Sequence, residues 1–260
     1  MKSQGIAHKV FIKLLFVFLL GFISCKQSLN TLSLKRIEGK QIAVEPSIEV
    51  DKALETYIEP YRDSIDVQMN EIIAYAPQRL SNNRDQDETL LGNFMADLCQ
   101  KRAQEKLTAF TDRPIDFTLL NIGGLRSSIE KGDVRVLDAY EVMPFENQLV
   151  VAELDFPSTM DLIQYLANSD NPHPISKSLK VAFDDDRIEK ALVNGQELDN
   201  KRTYLVLTND YLINGGDHMD FFKKAKKVYA LDYPVRNALL DELIEIDTIE
   251  VTYDQRMVRY

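Results

Sequence analysis

Two strand-like runs in this chain pass directly into loops that carry a glycine pair, and that repeated ending narrows the fold more than any other feature. The pattern Asp116 to Leu120 runs into Asn121-Ile122-Gly123-Gly124-Leu125-Arg126, and the pattern Tyr204 to Thr208 runs into Asn209-Asp210-Tyr211-Leu212-Ile213-Asn214-Gly215-Gly216-Asp217. Paired glycines just past a strand permit positive φ and let a ligand approach main-chain N–H groups closely. Loops at the carboxyl ends of strands are also the usual ligand edge of an α/β sheet.

The remaining periodicities agree with that architecture. Leu149 to Phe156 reads as a third strand, and Val181 to Phe183 with Ile188 to Val193 reads as a hairpin closed by the charged turn Asp184-Asp185-Asp186-Arg187. Helical patterns cover Leu137 to Val142, Ser158 to Ala167 and Pro234 to Leu243. Ala53, Leu54, Tyr57, Ile58, Tyr61 and Ile65 recur at helical spacing, which predicts an amphipathic helix over 49–67 with a bend near Pro60. Another helix follows Thr89, with Leu91, Phe94, Met95 and Leu98 on one face and Cys99 at its border, where a free thiol packs as a small apolar group. Helices interleaved with parallel-type and hairpin strands predict an α/β (α+β) domain built on a mixed β-sheet covered by helices. No linker or repeat divides it.

The loop residues carry the candidate chemistry. Arg126 offers a fork for a phosphate or carboxylate, and Asp217 offers acceptors for vicinal hydroxyls. Phe145, in Met143-Pro144-Phe145-Glu146-Asn147, and Tyr211 are aromatics on separate loops that could sandwich a nucleobase. Each has a plainer reading. A glycine pair can be only a turn, Phe145 a core residue, Arg126 a solvated cation, and Asp217 the cap of a helix near His218.

Charge and composition exclude other classes. With 41 acidic against 31 basic side chains and a net charge of -10, the chain lacks the basic surface that nucleic acid requires. Two cysteines and three histidines rule out a disulfide scaffold and a cysteine-rich or histidine-rich metal centre. Lys2, Lys9 and Lys13 precede the apolar run Leu14 to Ile23, the order of a secretory signal. Ser24-Cys25 at the end of that run resembles the lipobox of bacterial lipoproteins, the alternative being an ordinary cleaved signal with an incidental cysteine. The expected organisation is a lipoprotein signal peptide at 1–24, acylation at Cys25, a tether over 25–48 and one domain over 49–260. Such a protein would be a membrane-anchored lipoprotein of the bacterial cell envelope, facing outside the cytoplasm.

Taken in order, Asp87-Glu88-Thr89-Leu90-Leu91-Gly92-Asn93 with Asp97, Asn121 to Arg126, Pro144-Phe145-Glu146-Asn147 and Asn214-Gly215-Gly216-Asp217 resemble the C-terminal domain of the 5'-nucleotidase family, over roughly residues 70–245. In that family this domain binds the nucleoside part of the substrate. The resemblance implies that Phe145 and Tyr211 clamp the base, Asp217 holds the ribose hydroxyls, and Arg126 lies near the phosphate end. Asn121 and Gly123 would line the same pocket, and Arg84 matches a further family arginine. Tyr211 stands where phenylalanine is more usual.

Full-length members place a dimetal phosphatase domain in front of this one, with Asp-x-His, Gly-Asp-x-x-Asp and Gly-Asn-His motifs. Neither histidine motif occurs in the sequence, and the Gly-Asp-x-x-Asp spacing occurs only at Gly216–Asp220, where the second glycine loop ends. No metal or other cofactor is therefore expected in this chain, and divalent metals are expected on a separate metallophosphatase partner. The expected role is the nucleoside- or nucleotide-binding half of a split 5'-nucleotidase, inactive alone, that acts on nucleoside monophosphates in nucleotide catabolism. The alternative is a non-catalytic envelope binding protein for nucleosides or nucleotides.

Overall fold

A computed structural model describes Leu34, residues 36–45 and residues 47–260. The expected signal peptide at 1–24 and Cys25 lie outside the described residues. The chain divides into two units, Met1–Asp51 and Lys52–Tyr260. The described part of the first has no helix or strand and carries an Arg36–Glu38 ion pair of 2.9 Å.

In chain order the second unit contains α1 (Lys52–Met69), β1 (Ile72–Ala76), α2 (Leu90–Leu107), β2 (Phe117–Thr118), β3 (Gly132–Arg135), α3 (Val136–Val142), β4 (Gln148–Leu154) and α4 (Phe156–Ala167). There follow β5 (Leu179–Asp184), β6 (Arg187–Val193), β7 (Gln196–Glu197), β8 (Tyr204–Asn209), α5 (Asp210–Ile213), β9 (Lys227–Pro234), α6 (Val235–Glu245) and β10 (Met257–Arg259).

The central sheet has the order β2-β8-β4-β9. β2 runs parallel to β8, and the other pairs are antiparallel. A second sheet, β10-β5-β6-β7, has one parallel pair, β10 with β5. β1 and β3 form a separate antiparallel ribbon. This is the mixed sheet with helical cover that the periodicities predict.

Every residue of β8 is buried, because both faces of the central sheet are covered. Leu149, Val151, Leu205 and Leu207 point into one apolar core with Leu91 and Met95 of α2 and Leu239 and Leu243 of α6. Alternate residues Ala152, Leu154, Tyr204 and Val206 point into another, with Leu162 and Ile163 of α4 and Val181 and Phe183 of β5. Cys99 is wholly buried in the first core, where burial pushes its thiol up, as a packing role requires. The charged turn after Asp184 closes the hairpin as expected, with Asp185 at φ 51°.

Two expectations need correction. The predicted amphipathic helix forms as α1 and runs through Pro60, yet it buries none of its residues. Tyr57, Tyr61 and Ile65 stay exposed, because the helix makes few contacts with the body beyond those with α3. The second correction is β9, which the strand reading missed. Tyr229, Leu231 and Tyr233 face inward while Val228, Ala230 and Asp232 face out, so the period-2 signal was present in the sequence.

Candidate functional site

β2 and β8 are parallel, so both glycine loops leave the same edge of the central sheet. β4 is antiparallel to β8 and pairs Leu149 with Asn209, which brings the loop before β4 to that edge as well. Three segments far apart in sequence thus converge: 121–126, 143–147 and 209–217.

The first loop is a 3-10 turn at Ile122–Gly124, with Asn121 at its N-cap position. In the second, Asn209 caps α5, its Oδ1 accepting from the Leu212 N–H at 3.0 Å. The remaining amide of Asn209 donates to Asn121 Oδ1 at 3.5 Å, so the two caps meet. A β-carbon on Gly123 would lie 3.6 Å from Asn121 Nδ2 and 4.0 Å from Asp217 Oδ2. The carboxylate of the second loop therefore faces the bare backbone of the first.

Gly215 has φ 87° and turns the second loop back on itself, allowing Asp217 to follow at φ 51° and ψ 29°. A left-handed non-glycine residue costs about 1–2 kcal/mol and is held by its bonds. The Tyr211 hydroxyl donates to Asp217 Oδ1 at 2.9 Å and accepts the Asp217 N–H at 3.3 Å. That bond to the carboxylate raises the Tyr211 phenol above its ordinary range. The Asp217 carboxylate does not cap the following turn, whose N-cap is Met219.

Arg126 is exposed; its N–H donates to the Val142 carbonyl at 2.9 Å and its Nη1 to the Gly123 carbonyl at 3.4 Å. Phe145 is 43% exposed and Tyr211 46% exposed, so neither is a core residue. The Phe145 loop is pinned from behind by α6. The Val235 N–H donates to the Asn147 carbonyl at 2.9 Å, and Arg236 donates to the Met143 carbonyl at 3.4 Å while pairing with Glu146. Arg236 also lies 4.3 Å over the Tyr140 ring.

Arg84 stands apart. Its Nη1 donates to Asn171 Oδ1 at 3.3 Å, and no described hydrogen bond joins it to the other six candidates. Its neighbour Asn82 does reach the first glycine loop, donating to the Leu125 carbonyl at 2.8 Å.

The acids of the Asp87-to-Asp97 motif serve the scaffold. Asp87 pairs with Arg259. Asp97 pairs with the deeply buried Arg256, and Glu88 accepts from the Gln255 and Arg256 N–H groups. A groove of about 950 Å³ lined by Asp97, Lys101, Lys180 and Arg256 lies on that side. Within it Lys101 is paired with Glu242, Arg256 with Asp97, and Lys180 donates to the Asp254 carbonyl at 3.2 Å, whereas the loop edge leaves Arg126, Phe145 and Tyr211 exposed and is the better site.

Sequence reasoning missed His173 and Tyr165. His173 is buried beneath the first loop, its Nδ1 facing the Ile122 N–H at 3.4 Å and its Nε2 the Tyr165 hydroxyl at 3.3 Å. Burial pushes its imidazole down to about 4; Asp217 opposes this and Arg84 and Arg259 reinforce it. Both ring nitrogens are engaged, so His173 is not a metal ligand. Among the described residues no group of three His, Cys, Asp or Glu side chains is arranged to hold a metal ion.

A family model described as "5'-nucleotidase, C-terminal domain" matches residues 68–224. A 5'-nucleotidase of Vibrio parahaemolyticus is 24% identical over 186 residues, 69% of this chain and 31% of that protein. A trifunctional nucleotide phosphoesterase of Bacillus subtilis is 26% identical over 214 residues, 74% of this chain and 14% of that protein. Among solved structures, the 5'-nucleotidase precursor of Thermus thermophilus is 26% identical with a TM-score of 0.67, covering 80% of this chain and 42% of that one. The chain spans about a third of the length of the Vibrio relatives it matches.

Proposed function

Because the chain belongs to the family of 5'-nucleotidase C-terminal domains, we propose that it is the nucleoside- or nucleotide-binding half of a two-part 5'-nucleotidase. The observation that carries this reading is the meeting of the two glycine loops. The Asp217 carboxylate, tied to Tyr211 at 2.9 Å, faces Gly123, whose β position lies 4.0 Å from Asp217 Oδ2 and 3.6 Å from the Asn121 amide. A sugar presenting vicinal hydroxyls fits that carboxylate, and a base beside the sugar would lie between the exposed faces of Tyr211 and Phe145. Arg126, exposed on the same edge, supplies charge for a phosphate.

Hydrolysis in this reading comes from a separate metallophosphatase that brings two divalent metals and their activated water over the bound ester. The lysine-then-apolar order of the leader and the Ser24-Cys25 junction support anchoring in the bacterial envelope. Holding both parts on one membrane would raise their effective concentration. Replacing Cys25 by serine should release the protein from the membrane fraction.

The test is calorimetric titration with adenosine and AMP, followed by phosphate release from AMP with and without a candidate metallophosphatase. Phe145→Ala should weaken adenosine binding about tenfold or more, since it removes one stacking face. An affinity unchanged by that substitution removes the clamp. Binding with no phosphate release, even with the partner present, leaves a binding protein and sinks the two-part enzyme.

A further inference from the structure

We infer that His173 and Tyr165 are positioning residues that set the Asp217 carboxylate, through a one-way hydrogen-bond relay tying the first glycine loop to the second. The inference rests on the binding reading above and goes beyond it, since neither residue needs to touch a ligand.

The direction of the relay is forced at both ends. The Ile122 N–H can only donate, so His173 Nδ1 accepts at 3.4 Å. A neutral ring then carries its proton on Nε2, which donates to the Tyr165 oxygen at 3.3 Å. The Tyr165 proton goes to the Asp217 carbonyl, which can only accept, at 2.9 Å. No member can be reversed without opposing two donors or two acceptors. The ring of Tyr165 is fixed by its neighbours, 5.5 Å from His173 and 5.6 Å from Phe221 between centroids.

What the relay holds is a left-handed stretch of the site, Asp217 at φ 51° followed by His218 at φ 61°. Asp217 has a left-handed backbone without being glycine, and its carbonyl is the group that Tyr165 grips. Fixing that carbonyl fixes ψ and the exit of the side chain, and hence the aim of Oδ2 toward Gly123. His173 transfers the position of the 3-10 turn to the same point, so the two loops keep register although 88 residues separate their asparagine caps. A burial-depressed imidazole, neutral at ordinary pH, keeps the relay assembled.

Tyr165→Phe removes one oxygen and keeps the ring, so it tests the relay without hollowing the core. Adenosine affinity of the full chain should fall about tenfold, while 2',3'-dideoxyadenosine, which offers Asp217 nothing, should bind as it does to the unaltered protein. In an Asp217→Asn background the same substitution should add little further loss. Equal weakening of both ligands, or fully additive losses, would overturn the inference. Failure of the unaltered protein to bind either ligand would instead sink the binding reading, and the inference with it. A second measurement needs no variant: ¹⁵N spectra of His173 at neutral pH should show the Nε2–H tautomer, and an Nδ1–H or charged ring overturns the relay.

Discussion

Replacing Gly216 by alanine perturbs the site through a single methyl group whose nearest obstacle is Tyr211. A β-carbon at this position would sit 2.5 Å from Cε1 and 2.6 Å from Cδ1 and Cζ of the Tyr211 ring. Carbon atoms in contact settle at about 3.5–4.0 Å, so the ring must retreat by roughly an ångström. Tyr211 is 46% exposed and can swing outward, and Gly216 lies outside the left-handed region, so the backbone accepts alanine. The change in folding stability should therefore stay within about 0.5 kcal/mol. The retreat breaks the 2.9 Å bond to Asp217 and withdraws one stacking face, a loss of about 1–3 kcal/mol in binding. That corresponds to about 5- to 150-fold in Kd. Calorimetry with adenosine measures it, a thermal melt checks the fold, and Tyr211→Ala combined with Gly216→Ala should cost no more than Tyr211→Ala alone. Unchanged adenosine affinity in Gly216→Ala would falsify the placement of Tyr211 on the ligand.

Two further outcomes follow from buried charge. The His173 imidazole sits at about 4 when folded against an ordinary 6.5, because burial and the charges of Arg84 and Arg259 outweigh Asp217. The unfolded chain thus binds more protons between those values, and the stability from this residue, complete above 6.5, is lost as pH falls toward 4. The loss should reach about 3 kcal/mol, and His173→Gln should flatten denaturant midpoints over that window; an unflattened profile refutes the assignment. Arg256→Met leaves Asp97 and Asp254 without their shared cation and should cost about 3–5 kcal/mol of folding stability, read by chemical denaturation, whereas a loss below about 1 kcal/mol would show the pairs to be dispensable.

The parts of this molecule that are legible in sequence are those coded locally. Gly123, Gly124, Gly215 and Gly216 stand next to the strands that place them, so strand pattern and glycine pair together locate the loop edge. The Asp184–Arg187 turn lies between the strands it joins, and Thr89 caps the helix it precedes, accepting from the Gly92 N–H at 2.9 Å. His173 lacks such a marker. Its informative partner, Ile122, is 51 residues away, and alone in a loop it reads as an ordinary histidine. Arg236 is similar, since its hold on the Met143 carbonyl spans 93 residues. The apolar spacing of α1 reports a helix correctly, yet spacing cannot say whether a neighbour covers the stripe, and the exposed Tyr57 and Tyr61 show the gap between those statements.

The pairing of Arg256 with acids from a distant helix start bears on biogenesis. Asp97 precedes its guanidinium by 159 residues and Glu88 by 168. A ribosome moving at about 5–20 residues per second would keep those carboxylates waiting on the order of ten seconds or more for their counter-charge. During that interval β10 cannot dock on β5, and the Leu166 carbonyl at the end of α4 lacks Arg259. Closure of the domain thus waits for residues 256–259, and a nascent chain halted short of residue 256 would hand chaperones and proteases an unfinished body with an uncompensated acidic seam.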